Sequence, residues 1–307
     1  RLNPPERKQE RTMAIKQGLI ALALTLGAAG AAQAQTSLGD TLAPGGQKAA
    51  PAPAGPSAPA AGPVAGKVQI AYSDVANGDA ALAHARDVLM NTHALEEFQR
   101  FMSPLKLPAD VTIEAKSCGA NFEPYVAGSG HVSFCYEGVA QILKIAAAQT
   151  KLTPQIQREG VVGAIVETLF HESAYALFDV LHVPVWGRVD DAADRLAALG
   201  MVEFGSDSAN VVVHGVLDFL LWSQRTWTGR DFASAQSPEA QRFENFACIA
   251  VGADIWTFYG LVKDGWVPKD RAQECQHEYL QVRHAFNLRV MPYVDPDLLV
   301  RARAANW

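Results

Sequence analysis

Two rhythms of apolar and polar positions run along this chain. Alternation with a period of two marks Val68–Tyr72, residues 111–115 and residues 131–134. It predicts three short strands, the last two flanking a loop that contains Gly and Asn. Elsewhere the apolar positions recur every three to four residues. Leu82, Ala85, Val88, Leu89 and Leu95 do so within residues 79–101, which read as one helix. Residues 136–149 follow the same rule, and residues 155–181 read as a long apolar helix ended by Pro184. A further helix is expected over 188–199, capped by Gly200, with others over 210–222, 238–259, 270–287 and 296–304. The expected fold class is α+β: a helix-dominated domain with a small sheet near its front.

The chain has 307 residues, and not all of them suit a folded domain. Lys16 is followed by an apolar run from Gly18 to Ala32, and Ala32-Gln33-Ala34 forms a small-x-small cleavage signal. Residues 13–34 therefore read as a secretory signal peptide. A membrane anchor is the competing reading, but the run is shorter than the ~20 residues a span requires. No stable membrane span is expected after cleavage, and the mature protein should be periplasmic or secreted. Residues 1–12 do not begin with Met, carry mixed charge and read as translation from upstream of Met13. From Gln35 to Gly66 the chain holds 6 Pro, 9 Ala and 6 Gly in 32 residues. Such a segment buries too little apolar area to offset its ordering entropy, and it reads as a disordered linker. One large domain over 67–307 remains.

The formal charge is −6, and without the first 34 residues 21 basic face 30 acidic side chains. An acidic balance argues against a nucleic-acid partner. Export gives the 4 cysteines an oxidising compartment. Three pairings are open, of which the local one, Cys118 with Cys135 and Cys248 with Cys275, is favoured. A zinc site made of all four cysteines competes with it, but the chain has no C-x-x-C pair.

The candidate chemistry lies in the long apolar helix. Its polar exceptions are Glu167, His171, Glu172, Ser173, Tyr175 and Asp179. Burying a carboxylate beside an imidazole is costly without a partner or a metal. His171 and Tyr175, four residues apart, share a helix face, with Glu172 one step round. This is the layout of H-E-x-x-H, in which two histidines bind zinc and the Glu is the general base, except that the second histidine is Tyr175. In the next helix Asp190 could face a metal, while Asp194 four residues later could orient the imidazole of His171. A core histidine hydrogen-bonded to Asp194 is the competing structural reading. Glu167 could face the site from one turn earlier, and His182 is a substitute donor without the expected spacing.

Residues 170–199, with His171-Glu172 followed by Pro184, Gly187, Asp191, Ala193 and Asp194, resemble a family of secreted bacterial metallopeptidase-type proteins with a zincin motif. That family reads H-E-x-G-H and then P-x-x-G-x-E-E-D-x-A-D. The likeness extends to Cys118-Gly119-x-Asn121, Cys135-Tyr136-Glu137 and the Arg271–Tyr279 stretch, and so covers most of residues 68–285. It implies a zincin-like fold, zinc as cofactor and a peptide or protein substrate. Glu172 would activate water, His171, Tyr175 and Asp190 would hold the metal, and Asp191 and Asp194 would support them. His171, Glu172, Asp191 and Asp194 match the pattern. Ala174, Tyr175 and Val189-Asp190 depart from it, so two of the three expected ligands are altered. The alternative is therefore a degraded pseudopeptidase acting as a binding or structural envelope protein. No G-x-S-x-G elbow and no phosphate-binding loop appears. Trp222, Trp227, Trp256 and Tyr259 read as core or groove lining.

Overall fold

The computed structural model describes residues 66–75, 78–119, 124–203, 206–224, 234 and 236–299. The leader, nearly all of the linker, Asn121 and Trp227 lie outside them. Strand β1 (Val68–Tyr72) is followed by α1 (Ala80–Asn91), α2 (Ala94–Met102), β2 (Val111–Lys116), β3 (His131–Cys135) and α3 (Tyr136–Ala147). Then come α4 (Pro154–Val180), α5 (Val189–Val202), α6 (Ser206–Ser223), α7 (Glu239–Ala253), α8 (Tyr259–Lys263) and α9 (Lys269–Arg289), with a 3-10 turn at Met291–Tyr293. The fold is α+β and helix-dominated, as the periodicity predicts.

The sheet has the order β1-β2-β3 and is parallel throughout, with Ile70 opposite Ile113 and Ile113 opposite Val132. Its central strand alternates buried and half-buried positions, which turns Val111, Ile113 and Ala115 into the core. Helices α1 and α2 make the crossover from β1 to β2. The predicted single helix over 79–101 is broken here. His93 takes a left-handed φ of 52° between α1 and α2, and the Thr92 side chain bonds back to Val88 O at 2.8 Å. Asn, Thr and His are weak helix formers, and apolar spacing alone does not register the interruption.

Helix α4 is the central element. Thr153 caps it, accepting from Ile156 N, and Pro154 stands in its first turn, where a missing N–H costs nothing. Where α4 crosses α6, the backbones touch. A Cβ on Gly163 would lie 2.2 Å from Val216 N, and one on Gly215 would lie 2.1 Å from Glu159 O. Helix α4 is long and apolar enough to cross a membrane, but it is mostly buried in the protein, as the core helix of a globular domain would be. It ends at Val180, before Pro184, with His182 at a φ of 50° and Val183 N–H donating to Phe178 O at 2.8 Å. Gly200 is not a cap. It lies inside α5, where a Cβ would meet the Phe170 ring at 2.5 Å. The helix predicted over 238–259 also divides, because the Asp254 carboxylate accepts from Trp256 N, Thr257 N and Thr257 Oγ1 and starts a new turn. Of residues 296–304, the described part, 296–299, is helical.

The cysteines pair as Cys118–Cys135 and Cys248–Cys275. The first ties the segment after β2 to the end of β3, and the second joins α7 to α9. This removes the four-cysteine zinc site. Trp222 packs on Gly160, but Trp256 is 86% exposed and Tyr259 is 52% exposed, so those two are surface residues rather than core.

Candidate metal centre and its buried charge network

Helical spacing sets the site. Glu167, His171 and Tyr175 are successive turns of one stripe on α4. Asp190 and Asp191 stand in the first turn of α5, where carboxylates are favoured by the helix dipole, and Asp194 follows one turn later. The packing of α5 on α4 brings these stripes together. Asp194 Oδ1 lies 2.8 Å from His171 Nδ1. On the other side of the ring, Asp190 Oδ1 is 3.7 Å from His171 Nε2 and accepts from the Tyr175 hydroxyl at 2.8 Å. The imidazole and the phenol ring meet edge-on, with centroids 5.6 Å apart.

Arg242 of α7 completes the cluster, and sequence reasoning misses it. Its Nη2 donates to Glu167 Oε1 at 2.6 Å and to Asp194 Oδ1 at 2.8 Å, and its Nε donates to Asp194 Oδ2 at 2.8 Å. Glu167 thus faces the Nδ1 side of His171 rather than the Nε2 side. Asp191 turns to Ser237, accepting from its hydroxyl at 2.6 Å, and fastens the start of α5 to the segment before α7. His182, past the end of α4, is exposed and does not join the cluster.

Burial and charge act in opposition here. Burial opposes protonation of His171, but Asp190, Asp194 and Glu167 outweigh it and raise its pKa to about 10. Asp194 is held down at about 2, against its burial, by Arg242 and His171. Asp190 is lowered by His171 against the effect of burial, while burial and then Asp190 push the Tyr175 phenol up. Burial also raises Glu167, against the pull of Arg242 and His171. Glu172 is 8% exposed, and its Oε2 has no hydrogen-bond partner among the described residues. Burial raises its pKa to about 7, with Glu167 and Asp190 adding to the effect and His171 and Arg242 opposing it.

Three clusters can be tested for a metal. Cys118, Cys135 and Glu137 are close together, but both sulfurs are spent in a disulfide and the Glu137 carboxylate accepts from Cys118 N and Gly119 N. Glu167, His171 and Asp194 offer donor atoms within 4.8 Å of one another. There, however, the Arg242 guanidinium already spans both carboxylates, and a divalent ion would sit against a fixed positive charge. The Nε2 side of His171 fits better. Two donors on one tetrahedral zinc are about 3.4 Å apart for bonds of ~2.1 Å, close to the 3.7 Å between His171 Nε2 and Asp190 Oδ1. The Tyr175 hydroxyl lies 2.8 Å from the same Asp190 oxygen, and Glu172, next to His171 in sequence, keeps Oε2 without a hydrogen-bond partner among the described residues.

Compared with known families, residues 72–288 match the model of a family described as "Putative metallopeptidase". The chain belongs to this family. No curated protein and no solved structure matches it.

Proposed function

We propose that the chain is an exported zinc-dependent peptidase whose centre is formed by His171, Tyr175 and Asp190, with Glu172 as general base. The observation that carries this reading is the buried Glu172 carboxylate with one oxygen unbonded, next in sequence to an imidazole whose Nδ1 is already committed to Asp194. An unpartnered buried carboxylate oxygen is costly to fold around unless a ligand or water completes it. When bound, zinc supplies Lewis-acid polarisation of the scissile carbonyl. Asp194 orients the imidazole and Arg242 holds Asp194 in turn. Asp190 keeps the Tyr175 hydroxyl in register. Glu172 takes a proton from the attacking water and delivers it to the departing amine. Residues 13–34 would be the export leader and 35–66 a tether ahead of the domain. The two disulfides support a periplasmic or extracellular setting.

One observation favours the alternative, a pseudopeptidase that binds rather than cleaves. The Tyr175 hydroxyl is satisfied by Asp190, and the phenol is harder to ionise than usual, so the position of the second histidine is filled by a donor that needs no metal. Zinc content after metal-replete purification, together with hydrolysis of a peptide library, separates the two readings. Under the peptidase reading the natural chain carries one zinc, and Glu172→Gln keeps the zinc but loses about 100-fold or more in turnover. Zinc found only in Tyr175→His would sink the peptidase reading for this chain.

A further inference from the structure

Helix α4 presents a second functional face. Phe170, Ser173 and Leu177 point away from the His171 stripe and line a cavity of about 190 Å³, whose walls are completed by Phe101, Leu196, Phe286 and Leu299. An apolar cavity of ~150 Å³ is already large enough to take up a benzene-sized molecule. Within these apolar walls lies one orphaned polar group. Ser173 is 2% exposed, and its Oγ has no hydrogen-bond partner among the described residues. A serine inside a helix ordinarily bonds back to the carbonyl four residues earlier, and this one does not. Leaving a buried hydroxyl unmet is costly. The other polar side chains of the lining are Asn287 and the oppositely charged pair Glu203 and Arg283. Glu203 accepts from the Tyr279 hydroxyl at 3.4 Å, and Arg283 lies over the Tyr279 ring, 5.8 Å from its centroid. With one acid and one base, the lining carries no net charge that would select an ion.

We propose that this cavity is a binding site for a small uncharged apolar molecule, a ring or short chain carrying one hydroxyl or carbonyl oxygen, which pairs with Ser173 Oγ. The site does not share a side chain with the His171 cluster, and the proposal stands whether or not the chain cleaves peptides. Calorimetric titration of the full chain with 4-propylphenol and with propylbenzene tests it. Both probes should bind, the phenol more tightly. Ser173→Ala should weaken the phenol about two- to tenfold, the worth of one hydrogen bond, and leave propylbenzene unchanged. Leu196→Trp, which fills the space, should abolish both. If that variant fails to fold by circular dichroism, Leu299→Trp at the half-buried edge replaces it. The proposal is overturned if neither probe binds the folded chain, if Ser173→Ala leaves the phenol unaffected, or if binding persists in the filled variant.

Discussion

Arg242 stands between Glu167 and Asp194, and all three side chains are nearly closed to solvent. A buried ion pair contributes little net stability compared with apolar residues of the same shape, but removing one partner strands the others. Arg242→Leu leaves two buried carboxylates with His171 as their remaining cation. The unfolding free energy should fall by ~3–5 kcal/mol in a urea titration. A loss below ~1 kcal/mol would mean that the network is solvated rather than buried. Half of this cluster is legible in the chain. Glu167, His171 and Tyr175 share a stripe by spacing alone, and Asp194 is anticipated on the imidazole. Arg242 is not legible, because it lies 48 residues from Asp194 and 75 from Glu167. Its own stretch reads as an ordinary helix with charged positions, and only the packing of α7 turns that arginine inward. Under the proposed reading, this guanidinium is what leaves the Nε2 side of His171 to the metal. Without the guanidinium, the Nδ1 side would be the more tempting metal site.

Periodicity identifies the helices but does not see how closely they approach. Gly138 and Gly215 both stand in predicted helices, and nothing in the pattern distinguishes them. In the fold they are opposites. Gly138 of α3 is exposed, with no atom within 4 Å of where a Cβ would lie, whereas a Cβ on Gly215 would meet Glu159 O at 2.1 Å and Gly163 Cα at 3.2 Å. Both obstacles are backbone and cannot rotate away. Gly138→Ala should therefore raise stability by up to ~1 kcal/mol through helix propensity. Gly215→Ala should lower it by ~1–3 kcal/mol, since overpacking outweighs the propensity gain. Equal shifts in the two denaturation midpoints would contradict this close crossing of α4 and α6. The same blindness explains the misread breaks. His93 and Asp254 interrupt helices through a left-handed backbone and a side-chain turn, neither of which changes the count of apolar positions. Gly200, which looks like a stop signal, is instead the space that the Phe170 ring needs.

Across the molecule, a small parallel sheet must be held to a much larger helical body, and part of that attachment is a carboxylate that accepts hydrogen bonds from the loop before β3. Asp179, near the end of α4, accepts from the Tyr125 hydroxyl and from Gly128 N, both at 2.6 Å, and so pins the loop before β3 to the central helix. Glu114 on β2 is held by Ser73, with His131 and Lys116 beside it. Both carboxyls have pKa values below the ordinary range, Asp179 through Tyr125 first and Glu114 through Ser73 first. A carboxyl whose pKa is lowered by folding stabilises the protein above its unfolded pKa, ~4. That contribution disappears as the pH falls through the lowered folded value. Asp179→Asn should therefore cost on the order of 1 kcal/mol at pH 7, the low end for a hydrogen bond to a charged group because the site is only half-buried. The gap between the natural chain and the variant should hold down to about pH 4 and close progressively below it. Urea midpoints measured at pH 7, 4 and 2.5 give the comparison. A difference that persists unchanged at pH 2.5 would mean that Asp179 acts through shape and packing rather than charge.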